Sequence, residues 1–416
     1  MVEIWLPYGK TEVPVRIPDE ALLAVIDVEE IPSPENLSRQ ILKAIDVARL
    51  DEIVKPGHKV AITVDSDLFP HTLVLPLLLE KLSSLGVKES ETTILLGNTL
   101  TEADYRSKLM SEEFAKRVNI LTSSPDTKSV TYIGNTRRGT KVWVETRFVE
   151  ADLRILTGRI GFHPHAGYIG GRSGILPAIC GVETIRSSFV SILDPKSRIG
   201  NLEENLLHQE MQDIAQLAKV NCILNVVLNS RGDVINFFAG APDQAFLEGI
   251  KFVDETFRTF TETRADIVIV SSGGFPWDTT LFRACEGLVS ALNVVKDGGV
   301  IIWVAECSRG HGNSVFYDWM TDCKTAEHAA IKIKKGFMVG GDRAYLMLQT
   351  LEKVKIILVS VLPSYYTTEI FKLRTAKTVY EALNLAFRLL GKKGKILVLP
   401  HGNTVLPEIK KGNGSH

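Results

Sequence analysis

Residues 163–177 read His-Pro-His-Ala-Gly-Tyr-Ile-Gly-Gly-Arg-Ser-Gly-Ile-Leu-Pro and follow an apolar, strand-like run at residues 153–156. Two histidines, four glycines and one arginine are concentrated in this stretch. Glycines let the backbone approach a ligand and adopt positive φ, a helix N-terminus after such a loop attracts anions, and imidazoles titrate near neutral pH. The stretch therefore predicts a functional loop between a strand and a helix. The alternative is a tight structural turn with a buried histidine.

The segments before this loop alternate strands with helices. Residues 59–64 predict a buried strand that ends at Asp65, and residues 72–85 predict the helix that follows. The next predicted strand, at residues 92–96, ends in a turn that contains Thr99. Because ligands gather at the carboxyl ends of the strands in α/β domains, Asp65 and Thr99 are candidate binding residues.

The second half of the chain repeats this alternation. Apolar strands are predicted at residues 265–270, 300–305, 355–361 and 395–399. Residues 243–263 predict a long helical connector, so the sequence predicts an α/β protein of two domains with a cleft between them. We expect an N-terminal domain of residues 1–263, joined by residues 399–416, and a C-terminal α/β domain of residues 264–398.

Composition excludes several classes of protein. With 416 residues, of which 45% are hydrophobic and 23% charged, the chain is too apolar for disorder and long enough for two or three domains. Its net charge of −1 gives no electrostatic reason to expect nucleic acid or an anionic membrane as a partner. Five dispersed cysteines suggest neither a disulfide framework nor a zinc ribbon, and no apolar run approaches about eighteen residues. Since no secretory leader precedes the first predicted strand, we expect a cytoplasmic protein.

Several motifs occur together along nearly the whole chain. They are the stretch at 163–177, the strand-end turn at Asp65, Gly-Ala-Pro-Asp-Gln-Ala at 240–245, Ser-Gly-Gly-Phe-Pro-Trp-Asp at 272–278 and the glycine-rich region 298–312. On these motifs the chain resembles the nickel-pincer-dependent lactate racemase family. The resemblance implies two α/β domains and the racemisation or epimerisation of small 2-hydroxy acids. It also implies a nickel ion held by a pincer nucleotide, which is attached to a lysine through a thioamide.

The resemblance further implies a division of roles. In the family, hydride passes between the substrate carbon C2 and the cofactor, while two histidines exchange the hydroxyl proton. His163 matches the first of those histidines. The motifs and the resemblance together give these candidate cofactor- or substrate-binding residues: Asp65, Thr99, Gly170, Gly171, Arg172, Ser173, Asp278 and Arg283.

The chain departs from the family pattern at five positions. Ser173 stands where the family has the pincer-bearing lysine, and Phe189 stands where it has a histidine that ligates nickel. A hydroxyl cannot form the thioamide, and a phenyl ring has no donor atom for a metal. Leu68 replaces a phosphate-binding arginine, Glu286 replaces a lysine, and the turn at 97–100 lacks the second catalytic histidine. We therefore expect no covalent pincer adduct.

Two functions of different classes stay open. If the chain is an enzyme whose site residues differ from those of the family, His163 is the general acid or base and His165 is a second proton carrier or a metal ligand. Arg172 or Arg283 then holds the carboxylate of a small-molecule substrate. In a non-catalytic ligand-binding or regulatory paralogue, the same scaffold binds a small carboxylate without turnover.

A metal site of another kind is a third alternative. It would be built from His163, His165 and either Cys180 or Asp65. Histidines at positions i and i+2 of an extended loop point to opposite faces, which opposes this arrangement. The sequence assigns no particular metal to it.

Overall fold

The computed structural model describes residues 1–65, 68–97, 116–125, 128–391 and 394–410. The strands are β1 (Val2–Tyr8), β2 (Thr11–Ile17), β3 (Leu22–Val25), β4 (Val60–Val64), β5 (Thr92–Leu96), β6 (Asn119–Thr122), β7 (Val130–Asn135), β8 (Lys141–Glu145), β9 (Leu153–His163), β10 (Gly167–Ile169), β11 (Cys222–Leu228), β12 (Val234–Gly240), β13 (Arg258–Thr261), β14 (Ala265–Ser271), β15 (Val295–Val304), β16 (Lys355–Val359), β17 (Arg374–Ala376), β18 (Ile396–Leu399) and β19 (Leu406–Ile409). The described α-helices are α1 (Leu37–Val47), α2 (Leu50–Ile53), α3 (His71–Ser84), α4 (Thr146–Glu150), α5 (Val182–Phe189), α6 (Leu206–Leu217), α7 (Pro242–Phe257), α8 (Leu281–Leu292), α9 (Ser314–Asp322), α10 (Ala326–Gly336), α11 (Gly341–Lys353) and α12 (Val379–Leu390). None of the helices in these ranges is both long and apolar enough to cross a membrane.

The chain divides into two compact units. The central unit comprises Ile31–Asn229 and Asp233–Val253. The terminal unit comprises Met1–Glu30, Ser230–Gly232 and Asp254–His416. The main boundary, after Val253, lies inside α7 and within the connector predicted at residues 243–263.

The terminal unit contains both ends of the chain, which differs from the predicted boundaries of 1–263 and 264–398. β3 pairs in parallel with β18, and the hairpin of β1 and β2 buries Leu6 and Ile17 in the same core as residues of β14, β15 and β16. At the other end, β19 pairs with β13. β3 therefore has its partner strand near the C-terminus, and β1 and β2 pack against the core of the same sheet. These long-range contacts move all three strands out of the predicted N-terminal domain.

One sheet forms the centre of the central unit. Its strand order is β12-β11-β9-β4-β5-β6, and β10 pairs with β9 outside this path. β11, β9, β4, β5 and β6 are parallel, while β12 is antiparallel to β11 and forms a hairpin with it. All residues of β4 and β11 are buried, as is typical of parallel strands covered on both faces. The carboxyl ends of the parallel strands share one edge, where Asp65 follows β4.

The stretch at 163–177 differs from the predicted loop. β9 continues to His163, and β10 folds back on it with Gly167 opposite His163. A 3₁₀ turn spans Gly171–Gly174, and the next α-helix begins only at Val182. The prediction that a helix N-terminus follows the loop directly is wrong. Gly167 has φ +80, and a Cβ on it would lie 2.2 Å from a backbone oxygen, so glycine here allows a hairpin turn instead.

The sheet of the terminal unit has the order β17-β16-β15-β14-β18-β3, and all of its pairings are parallel. From β14 the chain proceeds outward through β15, β16 and β17 on one side. It then crosses to β18, which lies on the other side of β14. The strand order thus reverses between β14 and β18, and in open parallel sheets such a switch point is where ligands bind.

Candidate functional site

Asp65 is held at the carboxyl end of β4 by a hydroxyl from the 3₁₀ turn. Ser173 Oγ donates to Asp65 Oδ2 at 2.5 Å. The residue keeps some exposure, but its Oδ1 is closed off from solvent and has no hydrogen-bond partner in the described ranges. Burial raises the pKa of Asp65 to about 6, although the bond from Ser173 and the charge of Arg159 both oppose this rise. The carboxyl therefore changes charge near neutral pH.

Gly170 fixes the direction of the Ser173 hydroxyl. It has φ +113, and a Cβ on it would lie 2.7 Å from the backbone oxygen of Arg159, so the position requires glycine. Its N–H donates to Ser173 Oγ at 3.3 Å. The hydroxyl thus accepts from the backbone and gives its own proton to Asp65.

Arg172 is buried against the first turns of α7. Its Nη2 donates to Asp243 Oδ1 at 2.5 Å, and its guanidinium lies 4.5 Å from the centre of the Phe246 ring. Only 4% of the side chain is exposed, and within the described ranges Nε and Nη1 have no hydrogen-bond partner. Burial lowers the pKa of Arg172, but a guanidinium stays charged in proteins. Two donors of a buried cation are thus left for an anion, which is the role predicted for this residue.

His208 of α6 completes this cluster. Its ring stacks on Phe246 with 6.3 Å between ring centres and 19° between ring planes. Burial, together with the charge of Arg172, lowers the pKa of His208 to about 4. The imidazole is therefore neutral at pH 7, and Arg172 has no second cation beside it in this cluster.

His163 and His165 lie in and just after β9. The Nδ1 atom of His163 accepts from the backbone N–H of His165 at 3.2 Å and of Ala166 at 2.9 Å. Because a backbone N–H can only donate, the proton of the neutral His163 ring lies on Nε2. His163 is partly exposed, whereas His165 is 4% exposed and its ring centre lies 6.3 Å from that of His163.

The metal alternative gains no support from these positions. In the described ranges no group of three or more His, Cys, Asp or Glu side chains could hold a metal ion. Cys180 is fully buried, and burial raises the pKa of its thiol, which disfavours the thiolate that binds metals.

Asp278 and Arg283 belong to the terminal unit, whereas the other described candidates belong to the central unit. Asp278 is fully buried, and its Oδ2 accepts from the N–H groups of Gly9 at 2.8 Å and Glu306 at 3.0 Å. Arg283 Nη1 donates to the carbonyl of Pro276 at 3.3 Å. Both side chains bond to the backbone of their own unit.

The structure brings together part of the predicted set. Asp65, Gly170 and Ser173 form one hydrogen-bonded group, and Gly171 lies beside it with its N–H donated to Asn225 Oδ1 at 3.2 Å. Thr99 lies outside the described residues.

Four residues that contact or lie beside the predicted ones were not predicted from the sequence. Arg159 and Asn225 are buried inside the apolar strands β9 and β11. A charged or amide side chain inside a buried strand needs a polar partner, so this pattern could have identified both. His208 and Asp243 lie on helices, where polar residues are ordinary and carry no such information.

Two family models match most of the chain. The model of the lactate racemase N-terminal domain matches residues 8–200, and that of the lactate racemase C-terminal domain matches residues 260–406. The lactate racemase of Thermoanaerobacterium thermosaccharolyticum is 32% identical and that of Lactiplantibacillus plantarum 30% identical. Each alignment covers 98% of this chain, with 99% and 100% of the respective relative.

Solved structures agree with these matches. The lactate racemase apoprotein from Thermoanaerobacterium thermosaccharolyticum superposes with a TM-score of 0.85 at 29% identity, over 98% of this chain and 100% of that one. A Thermotoga maritima protein superposes with a TM-score of 0.69 over 92% and 100% of the two chains, and its 15% identity shows a shared fold alone. The α/β fold predicted from the sequence is confirmed. By its family models and its relatives, the chain belongs to the lactate racemase family.

Proposed function

We propose that this protein is an isomerase that inverts the configuration of a small 2-hydroxy acid, with Asp65 as a proton-transfer group. The observation that carries the proposal is the bond between Ser173 and Asp65, in a chain whose relatives are lactate racemases. A group with a pKa near 6 can take up and return a proton near neutral pH, as general acid–base catalysis requires.

Two further residues would position the substrate. Arg172 has two unused donors on a buried guanidinium, and charge-assisted bonds from such a group suit a carboxylate. His163, with its proton on Nε2, would donate a hydrogen bond or a proton to a substrate oxygen. His165 would support it through the backbone bond to Nδ1.

The residues at the family's cofactor positions do not fit a covalently attached nickel pincer. The Ser173 hydroxyl is engaged by Asp65 and Gly170, and it offers no amine for a thioamide. Phe189 is buried and has no donor atom. No step of the reaction is therefore assigned to nickel or to the nucleotide.

A non-catalytic paralogue that binds a small carboxylate is the second candidate. The hydrogen bond from Ser173 to Asp65 favours this candidate. The position that anchors the cofactor in the family is used here for a bond within the protein. The buried donors of Arg172 serve binding alone as well as they serve catalysis.

Inversion of single enantiomers tests the proposal. The purified protein is incubated with each enantiomer of a panel of 2-hydroxy acids, and the products are separated by chiral chromatography. Asp65→Asn should lower turnover by about 100- to 10,000-fold. Asp46→Asn, which changes an exposed carboxyl of the same unit, should leave turnover unchanged. If no acid is inverted while one of them raises the melting temperature of the wild type and not of Arg172→Lys, the binding protein is the better description.

The cellular setting forms part of the proposal. All five cysteines are unpaired and buried, as in proteins of reducing compartments. With the balanced charge, this supports a cytoplasmic protein whose partner is a small carboxylate rather than nucleic acid or a membrane.

A further inference from the structure

The central unit has a second polar cleft, which lies between the tip of the β7–β8 hairpin and the exposed face of α5. Its volume is about 400 Å³. The charged side chains that line it are Arg138 and Lys141 from the hairpin and Glu183 and Arg186 from the helix. All four residues are exposed. The lining therefore has three cations and one carboxylate, and none of these residues belongs to the candidate site described above.

Two of the three cations have no partner within the protein. In the described part of the chain, neither the Lys141 ammonium nor the Arg186 guanidinium forms an ion pair or a hydrogen bond. Glu183 lies three positions before Arg186 on the same face of α5, yet it forms no ion pair with it in the described ranges. The cleft thus offers one free cation on each of its two walls.

The hairpin tip is held in place by two buried carboxylates of α6. Arg138 Nε lies 3.3 Å from Glu210 Oε1, which also accepts from Thr136 Oγ1 at 3.2 Å. Asp213 accepts from the backbone N–H of Arg137 at 2.9 Å and from its Nε at 2.8 Å. These bonds fix the tip before any ligand arrives, and such preorganisation lowers the entropy lost on binding.

The hairpin is also tied directly to α5. Thr184 Oγ1 accepts from the backbone N–H of Trp143 at 2.8 Å and donates to the carbonyl of Lys141 at 2.9 Å. Thr184 and Phe189 lie on the buried face of α5, whereas Arg186 lies on its exposed face. The protein itself therefore fixes the backbones that carry Lys141 and Arg186 relative to each other.

The lining selects the chemistry of a ligand. Gly139, Thr140 and Ser187 complete it, so hydroxyl groups rather than apolar side chains surround the cations. A guanidinium binds two oxygens of a phosphate at once, and an ammonium adds a compact point charge. A volume of about 400 Å³ falls in the range of small-molecule sites and leaves room for more than a phosphate ion.

We infer that this cleft binds a phosphate group, either as the free ion or on a small hydrophilic compound such as a phosphorylated polyol. Lys141 and Arg186 hold the phosphate oxygens from the two walls. The hydroxyls of Thr140 and Ser187 and the Glu183 carboxylate bond to the hydroxyls of a polyol. The inference does not depend on the proposed function, because the substrate carboxylate is assigned to Arg172.

Calorimetric titration of matched double variants tests the inference. Wild-type protein is titrated with inorganic phosphate, glycerol phosphate and glycerol. Lys141→Gln/Arg186→Gln should raise the Kd for both phosphates by at least about 10-fold, since charge-assisted bonds are lost. Lys43→Gln/Arg39→Gln removes the same charges from the exposed face of α1 in the same unit and should leave both Kd values unchanged. Equal losses in the two double variants overturn the inference, as does the absence of saturable phosphate binding by the wild type.

The two phosphates distinguish the source of the ligand. Tighter binding of glycerol phosphate than of inorganic phosphate assigns the cleft to a phosphorylated compound, whereas equal affinities assign it to the free ion. Glycerol should not bind measurably. If glycerol binds as tightly as glycerol phosphate, the phosphate is not what the cleft recognises and the inference is overturned.

Arginine modification locates the bound phosphate. Phenylglyoxal modifies guanidinium groups, and peptide mass spectrometry measures the rate at each arginine. Saturating phosphate should slow the modification of Arg186 and leave that of Arg39 unchanged. Arg172→Lys should leave the Kd for phosphate unchanged. A phosphate affinity that falls in Arg172→Lys, or an Arg186 that phosphate does not protect, places the ion elsewhere and overturns the inference.

Discussion

Ser173 Oγ donates a hydrogen bond to Asp65 Oδ2 at 2.5 Å, although the two residues are 108 positions apart in the chain. The bond links the end of β4 to the 3₁₀ turn after β10. A neutral hydroxyl stabilises a buried carboxylate less than an ammonium group would, which leaves burial as the dominant influence on the pKa of Asp65. The residue type at position 173 therefore modulates the pH range, set mainly by burial, in which Asp65 can exchange a proton.

Removal of the Ser173 hydroxyl should raise the pKa of Asp65 further. The bond from Ser173 lowers that pKa, so Ser173→Ala should move it above its present value of about 6. Titration of ¹³C-labelled aspartate carboxyls by NMR measures the shift directly. Ser187→Ala, an exposed serine on α5, is the control. An unchanged titration midpoint for Asp65 would show that the bond has no electrostatic importance.

Replacement of Asp65 should stabilise the fold at alkaline pH. Its folded-state pKa of about 6 lies above the ordinary value of 3.8, so the folded state binds the proton more tightly. The stabilising effect of that proton is present at low pH and is lost as the pH rises through 6, at a cost of roughly 3 kcal/mol. Asp65→Asn should therefore increase the free energy of unfolding at pH 8 more than at pH 4.5. Urea unfolding at both pH values decides this, and an equal effect at the two would contradict the raised pKa.

Arg172 should matter for affinity more than for rate. Arg172→Lys loses the bond geometry toward Asp243, the contact with Phe246 and the two unused donors. We expect KM for the hydroxy acid to rise by about 10- to 100-fold, which corresponds to the loss of one bond to a charged group. Arg186→Lys, on the exposed side of α5, should have no effect. A lower kcat at unchanged KM would instead place Arg172 in the chemical step.

The two histidines of the hairpin should differ in importance. His163→Gln should lower turnover by about 100- to 10,000-fold if the imidazole transfers a proton. His165→Gln should cost less, since the bond from residue 165 to His163 comes from the backbone and survives the change. Steady-state kinetics of both variants provides the comparison. Activity that His163→Gln leaves intact would make this imidazole structural.

No covalent pincer adduct should form on this chain. Ser173 has no amine, and its hydroxyl is already engaged by Asp65 and Gly170. Intact mass spectrometry after coexpression with the enzymes that build the family's cofactor measures this. A mass increase of nucleotide size on any lysine would refute the expectation.

Several strands of both sheets could be predicted because they are apolar runs that end at polar turns. β5 has the predicted bounds, and β4 and β14 differ from theirs by one residue. The full length of β9 could not be predicted, because Gly158, Arg159 and Gly161 interrupt its apolar pattern. β3 could not be assigned to its sheet, since its partner β18 lies at the far end of the chain.

The candidate site could be predicted by residue type but not by contact. Asp65 is identifiable because it ends a buried strand, and Ser173 because it stands in the glycine-rich stretch. Their bond depends on the register of β4 against β9 and on the β10 hairpin, which no local pattern encodes.

The pairing of β3 with β18 also constrains how the protein is made. On the ribosome, β3 emerges long before β18 has been synthesised, whereas every residue of the central unit is available before β18. Domains fold as units during synthesis, so the central unit can fold before the strand that pairs with β3 has been synthesised. A chain that stops before residue 396 thus lacks β18 and loses one edge of this sheet, because a nonsense mutation near the C-terminus leaves β3 without its partner strand.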